Sequence, residues 1–378
     1  MQLKAIELAP DFAQAYAELG LIYAEMYWEG TDPSEECLKQ ARSMIDKALA
    51  LAPHAAESHQ ALGWYYYHGL RDFGRALDEF SRVLELQPNN AMARASMAWV
   101  QRRQGKWKEA IEGLQTVVLL DPREAWYRYE LGFTYFYCRR YHDAIALFDE
   151  VIDLHPNTPA AYLVKSFALL NLTGETRQAR EALDDGKACT GRTPQLTWFE
   201  VYYDFCDKDY EHAFGLLTSP GVVLHPNNPD SSDYYFMKGA CLSKMKKLSA
   251  AEVYFDSARV KLESRLAQSS ESAALLSSLA RVYTWLGKSD KAIESATRAT
   301  RLLPVSADAL TGPDYILDLA MVYAQTGHEE KAMELLDYLL SIPNFVSVNA
   351  LKLLPEFNHL HSNPRFQELL KKDNRSAI

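Results

Sequence analysis

Cysteine is scarce in this chain of 378 residues and badly placed for chemistry. Its five copies, Cys37, Cys138, Cys189, Cys206 and Cys241, are odd in number and widely spaced, and none belongs to a C-x-x-C pair. That pattern argues against a disulfide framework and a cysteine-held zinc site, and it fits a reducing, cytoplasmic compartment. Glycine and proline, at 17 and 16 copies, are too few for a linker-rich or disordered chain. No run approaches the roughly 20 consecutive apolar residues of a membrane span, and the N-terminus lacks the basic-then-apolar layout of a secretory leader, so a soluble chain with no membrane partner is expected. Positive charge is in deficit, with 40 Lys and Arg against 50 Asp and Glu for a net charge of -10. That balance argues against nucleic acid as a partner, because phosphate binding relies on clustered cations.

What the chain does have is a period. Prolines that close helical stretches stand at Pro10, Pro53, Pro88, Pro122 and Pro156, at spacings of 43, 35, 34 and 34 residues. Ahead of each lies one grammar: a large residue, a Leu-Gly or similar pair, an aromatic, a short turn, an Ala, a large apolar residue, then the stop. In "AWYRYELGFTYFYCRRYHDAIALFDEVIDLHP" the positions are Leu131-Gly132, Tyr135, Ala144, Phe148, Val151 and Pro156. Apolar residues recur at three and four within each half, which predicts two amphipathic helices of about 14 residues per period, paired as a hairpin. Gly132 and Ala144 fall where the two helices approach most closely, and Leu131, Tyr135 and Phe148 fill the space around them.

These residues resemble the tetratricopeptide repeat, whose pattern is W-x2-L-G-x2-Y, then A-x3-F, then P. Six hairpins carry it well, including Leu19, Gly20 and Tyr23 in the first, and Leu62, Gly63, Tyr66, Ala76 and Phe80 in the second. Later copies keep Leu279, Ala280, Tyr283 and Ala292, then Leu319, Ala320, Tyr323 and Ala332. Three weaker hairpins, over 158–191, 194–224 and 231–266, bring the count to nine. The resemblance implies an all-α, right-handed superhelical solenoid. "MYWEGTDPSEE" is read as a long polar turn in the first hairpin. "TSPGVVLHPNNPDSSD", with three prolines and a Gly, is read as the bend between one array over 10–224 and another over 225–343.

The ends differ. Setting Pro10 in register makes residues 1–9 the second helix of an incomplete repeat, which implies that the natural polypeptide continues upstream or that this helix caps the array. Residues 344–378 leave the period and are expected to close it with a charged helix. "LKLLPEFNHLHSNPRFQELLKK" is similar to tails that close C-terminal repeat regions of bacterial multidomain signalling proteins, which implies a sensory or autoregulatory module behind an effector domain of the same polypeptide, such as a transcriptional regulator, cyclase or kinase.

In arrays of this kind the first helices line the concave side. Its solvent-facing positions are expected to include Gln60, Trp64, Tyr67, Trp99, Arg102, Arg103, Trp126, Tyr129, Phe133, Tyr137, Tyr162 and Lys165, with Glu57, His68 and Phe136 beside them. Aromatics and Arg bury large areas at low entropic cost, which suits a protein or peptide partner with apolar and acidic side chains. The same rings, Phe133 and Phe136 above all, could instead pack on the adjacent hairpin. Two specialised grooves are ruled out by position. A clamp for an acidic tail needs Lys, Asn and Arg where Gln60, Trp64, Ala95, Trp99, Tyr129 and Phe133 stand, and an asparagine ladder needs Asn where Glu18, Ala61, Ser96, Glu130 and Ser166 stand.

Catalytic signals are weak. Gly287-Lys288-Ser289 has Val282 where a phosphate-binding loop needs Gly, and no G-x-S-x-G or H-E-x-x-H occurs. His54, His59 and His68, or His359 and His361, lack the partners of a recognisable metal site. No catalytic residue, metal or cofactor is therefore expected; a hydrolase concealed in the irregular 190–235 region is the remaining enzymatic alternative.

Overall fold

Helices alternate with short turns throughout the residues that the computed structural model describes, 2–219, 232–268 and 271–372, and no strand occurs among them. A lone helix, α1 (Gln2–Leu8), precedes nine hairpins: α2 (Ala13–Trp28) with α3 (Glu35–Leu51), α4 (Ala56–Trp64) with α5 (Phe73–Leu86), α6 (Ala91–Arg103) with α7 (Trp107–Leu120), α8 (Ala125–Tyr137) with α9 (Tyr141–Leu154), and α10 (Pro159–Thr173) with α11 (Thr176–Thr190). They continue through α12 (Pro194–Asp207) with α13 (Tyr210–Thr218), α14 (Ser232–Lys244) with α15 (Leu248–Gln268), α16 (Ala273–Trp285) with α17 (Ser289–Leu302), and α18 (Gly312–Gln325) with α19 (Glu329–Ser341). Three short segments follow: α20 (Val348–Leu353), a 3-10 helix (Pro355–Ser362) and α21 (Pro364–Leu369). The chain divides into two compact units, Met1–Tyr127 and Arg128–Ile378, with the boundary inside α8. The expected bend at "TSPGVVLHPNNPDSSD" lies largely outside the described residues.

One backbone feature accounts for the regularity of the turns. A residue in the left-handed region follows the first helix of every hairpin: Gly30, Arg71, Gly105, Arg139, Gly174, Lys208, Lys246, Gly287 and Gly327, with φ between 51° and 80°. Such a residue reverses the chain within two or three positions and lets its N–H satisfy a carbonyl of the helix it ends. Gly105 donates to the Arg102 carbonyl at 3.1 Å and Arg139 to that of Phe136 at 3.0 Å. Five of the nine are glycine, for which this conformation carries no steric cost; the other four are Arg or Lys.

The hairpins close tightly where the sequence places its small residues. A Cβ on Gly63 would stand 2.5 Å from the Phe80 ring, one on Gly20 2.5 Å from Ile45, and one on Gly132 3.0 Å from Phe148. Ala76, Phe80, Ala144 and Phe148 are fully buried at these crossings. In the first hairpin α2 runs on to Trp28, so the turn is shorter than expected: Met26, Tyr27 and Trp28 are helical, and Ser34 caps α3 by accepting from the Cys37 N–H at 3.1 Å.

The residues after α19 do more than close the series. α21 packs on α19, but α20 packs on α10. The Asn349 amide donates to the carbonyls of Asn171 and Leu172, each at 3.0 Å. Lys244 donates to the Pro355 carbonyl at 3.4 Å, and the Phe345 ring lies 6.5 Å from that of Phe167. The buried guanidinium of Arg139 reaches the carbonyls of Leu339, Ile342 and Val346 at 2.9, 3.0 and 3.1 Å. Residues 344–356 therefore lie across first helices of the second unit.

Candidate functional site

In the first unit the ring-bearing positions of successive first helices converge. After Trp64, α4 widens into a π turn over Tyr65–Gly69. Such widened turns alter which side chains share a face; here Trp64, Tyr67 and His68 gather with ring centroids 4.5 to 5.7 Å apart. Trp99 of α6 packs 5.6 Å from Trp64, and Trp28 of α2 stacks on His68 at 4.6 Å. The guanidinium groups of Arg71 and Arg103 lie 4.9 and 4.7 Å from the centre of the Trp28 ring, within cation–π range. Arg103 also donates to the Tyr67 hydroxyl at 2.8 Å. Sequence reading missed Trp28, assigned to a turn, and Arg71, whose left-handed backbone carries no sequence signal.

The polar groups of this cluster are only partly satisfied. Gln60 donates to the Ser96 hydroxyl at 3.3 Å, and that hydroxyl donates to the Met92 carbonyl at 2.8 Å. Gln60 Oε1, His68 Nδ1 and Trp99 Nε1 are buried with no hydrogen-bond partner among the described residues. Burial, then the charges of Arg103 and Arg71, push the His68 imidazole down to about 3, so it is neutral at pH 7.

The expectation that all these positions face solvent needs correction. Trp64, Tyr67, Trp99 and Arg102 are buried, at 9%, 4%, 7% and 6% exposure, because rings on adjacent helices cover one another. Gln60 and Arg103 are half-buried, and Glu57 is exposed. Trp126 is 46% exposed, and Met92, at the same position one period earlier, is also exposed.

The remaining expected residues belong to the second unit. Tyr129, Phe133 and Tyr137 form a half-buried stack with centroid spacings of 6.2 and 4.8 Å, while Phe136 is buried against Phe167 at 5.4 Å. Tyr162 is buried, and Lys165 pairs with Asp149 at 2.5 Å. Asn171 is buried, and its side chain donates to the Phe167 carbonyl at 2.8 Å.

This unit also holds a partly enclosed cavity of about 240 Å³, which sequence reading did not anticipate. Rings of Phe167, Trp198, Tyr202, Phe205, Phe236 and Phe345 line it, with Arg281, Asp318 and Glu356 as its charged groups. Asp318 accepts from Ser277 at 2.7 Å and stands 3.9 Å from Arg281; burial raises its pKa, against the pull of that arginine.

Among the described residues no cluster of His, Cys, Asp and Glu could hold a metal ion. Gly287 and Lys288 form an ordinary hairpin turn, and Cys138 is fully buried. No described helix is long and apolar enough to cross a membrane.

Residues 67–128 match one family model described as tetratricopeptide repeat, and residues 127–158 match a second. Human tetratricopeptide repeat protein 13 is 25% identical over 182 residues, which are 48% of this chain and 21% of that protein. The chain thus spans about a fifth of the length of this curated relative. Among solved structures, Pseudomonas aeruginosa pilF is 22% identical with a TM-score of 0.43, covering 55% of this chain and 90% of its own. A tetratricopeptide repeat protein from Parabacteroides merdae is 13% identical with a TM-score of 0.47, covering 65% and 92%.

Proposed function

We propose that this chain, which carries tetratricopeptide repeats, is a non-catalytic scaffold that holds a protein or peptide partner on the first-helix face of its first unit. The observation that carries the reading is the joint presence there of clustered rings, the guanidinium groups of Arg71 and Arg103, and exposed apolar side chains on first helices. Trp126 and Met92, exposed at equivalent positions of successive first helices, supply apolar area of the kind that dominates binding energy at interfaces. The charges of Arg103 and Arg71, gathered at the Trp28 ring, favour acidic side chains in the partner. The cysteine pattern supports a cytoplasmic setting.

The test is site-specific photocrosslinking. A photoreactive phenylalanine analogue in place of Met92 is expected to capture the partner, and the same analogue in place of Leu119, on the second-helix face, is expected not to. Capture at Leu119 and not at Met92 would overturn the assignment.

A second reading, a sensory module that regulates an effector domain of the same polypeptide, is supported by the cavity in the second unit, since such a module needs a place for its signal. It predicts that occupying the cavity changes the activity of a domain joined to the chain, as assayed on the longest expressed polypeptide.

A further inference from the structure

We propose that the cavity of the second unit is a binding site for a small organic amine, a molecule with an apolar body and one ammonium group. Its volume of about 240 Å³ is many times what a single water needs, and its aromatic walls offer a water cluster few of the hydrogen bonds that ordered water requires. An apolar occupant is favoured there.

The charged groups select the rest of the ligand. Asp318 already accepts from Ser277 and faces Arg281, and the Arg281 guanidinium also lies over the Phe236 ring at 4.5 Å. Arg281 is thus engaged on two sides, which leaves it poorly placed to receive an anion. Glu356 differs: its Oε2 is buried and accepts no hydrogen bond among the described residues. A buried carboxylate oxygen needs both a donor and a countercharge, and an ammonium group supplies the two together. Lys244, the neighbouring cation, feels the Glu356 charge but directs its hydrogen bond to the Pro355 carbonyl and lies 5.3 Å from the centre of the Trp285 ring, so Glu356 Oε2 still lacks a donor among the described residues. Aromatic faces such as those of Trp198 and Tyr202 add favourable contact with a cation.

Because the 3-10 helix that carries Glu356 is part of the wall, an occupant would bridge first helices and the C-terminal segment. The inference is independent of the partner face in the first unit.

The test uses the full chain and three probes of similar size: phenethylamine, 2-phenylethanol and 3-phenylpropionate, titrated by calorimetry and Trp fluorescence. The amine is expected to bind at least tenfold more tightly than either other probe. Glu356→Gln is expected to weaken the amine tenfold or more and leave the alcohol unchanged, with thermal unfolding of the variant verifying that it folds. Binding of no probe would overturn the site. Equal or tighter binding of the carboxylate or alcohol, or an amine affinity unaffected by Glu356→Gln, would overturn the ligand class.

Discussion

Replacing Arg139 with Met should detach the C-terminal segment while the hairpins of the second unit stay folded. The Arg139 guanidinium is buried, its pKa is lowered by that burial, and it donates to three carbonyls, those of Leu339, Ile342 and Val346. The Asn344 amide also donates to the carbonyls of Leu339 and Ile342, so those two keep a donor in the variant, whereas Val346 loses both of its bonds from Arg139. Hydrogen bonds from a charged donor are worth about 1.5–3 kcal/mol each, and relief of guanidinium desolvation returns part of the loss, for a net cost of about 2–3 kcal/mol. Methionine retains most of the buried stem, so packing is nearly preserved. By hydrogen exchange, amides of α20 and the 3-10 helix should lose protection by roughly 30- to 150-fold, while those of α10 and α12 change little. A loss spread evenly over the second unit, or no loss in these segments, would refute the reasoning.

Three further outcomes follow from the same geometry. Gly63→Ala places a Cβ 2.5 Å from the Phe80 ring and should destabilise the first unit by about 1–3 kcal/mol in denaturant melts. Lys246→Gly removes a side chain from an exposed left-handed residue with φ 61°; the relief of about 1–2 kcal/mol exceeds the added chain entropy, so a net gain of roughly 0.5–1 kcal/mol is expected as a higher Tm. His68 has a folded pKa depressed to about 3 from 6.5, so below pH 6.5 the unfolded chain takes up its proton first and stability falls. Between pH 6.5 and 5 the loss should be about 1.5–2 kcal/mol, absent in His68→Phe when both proteins are melted across that range.

The hairpins were legible because their cause is local. A residue such as Gly63 opposite Phe80 repeats with the period, and the apolar spacing of three and four marks each buried face. What the period does not encode is which neighbour covers a face. Trp64 and Trp99 occupy positions that a single helix would present to solvent, and they are buried because each lies against the other. The left-handed turns were half legible: Gly105 and Gly287 announce themselves, whereas Arg71 and Lys246 adopt the same backbone against their own preference. The cavity was invisible, since Arg139 meets Val346 across 207 residues and Glu356 meets the rings of α12 with no local pattern to signal either.

The assignment of the first unit as the partner-bearing face is tested most directly by measuring the affinity of a captured partner for two single variants, Trp126→Ala and Leu119→Ala, with helical circular dichroism as the folding control. Trp126 is exposed on a first helix and Leu119 on a second. The account predicts that the first variant weakens binding by about 2 kcal/mol or more and the second leaves it unchanged. Loss on Leu119→Ala with full affinity retained by Trp126→Ala would contradict it.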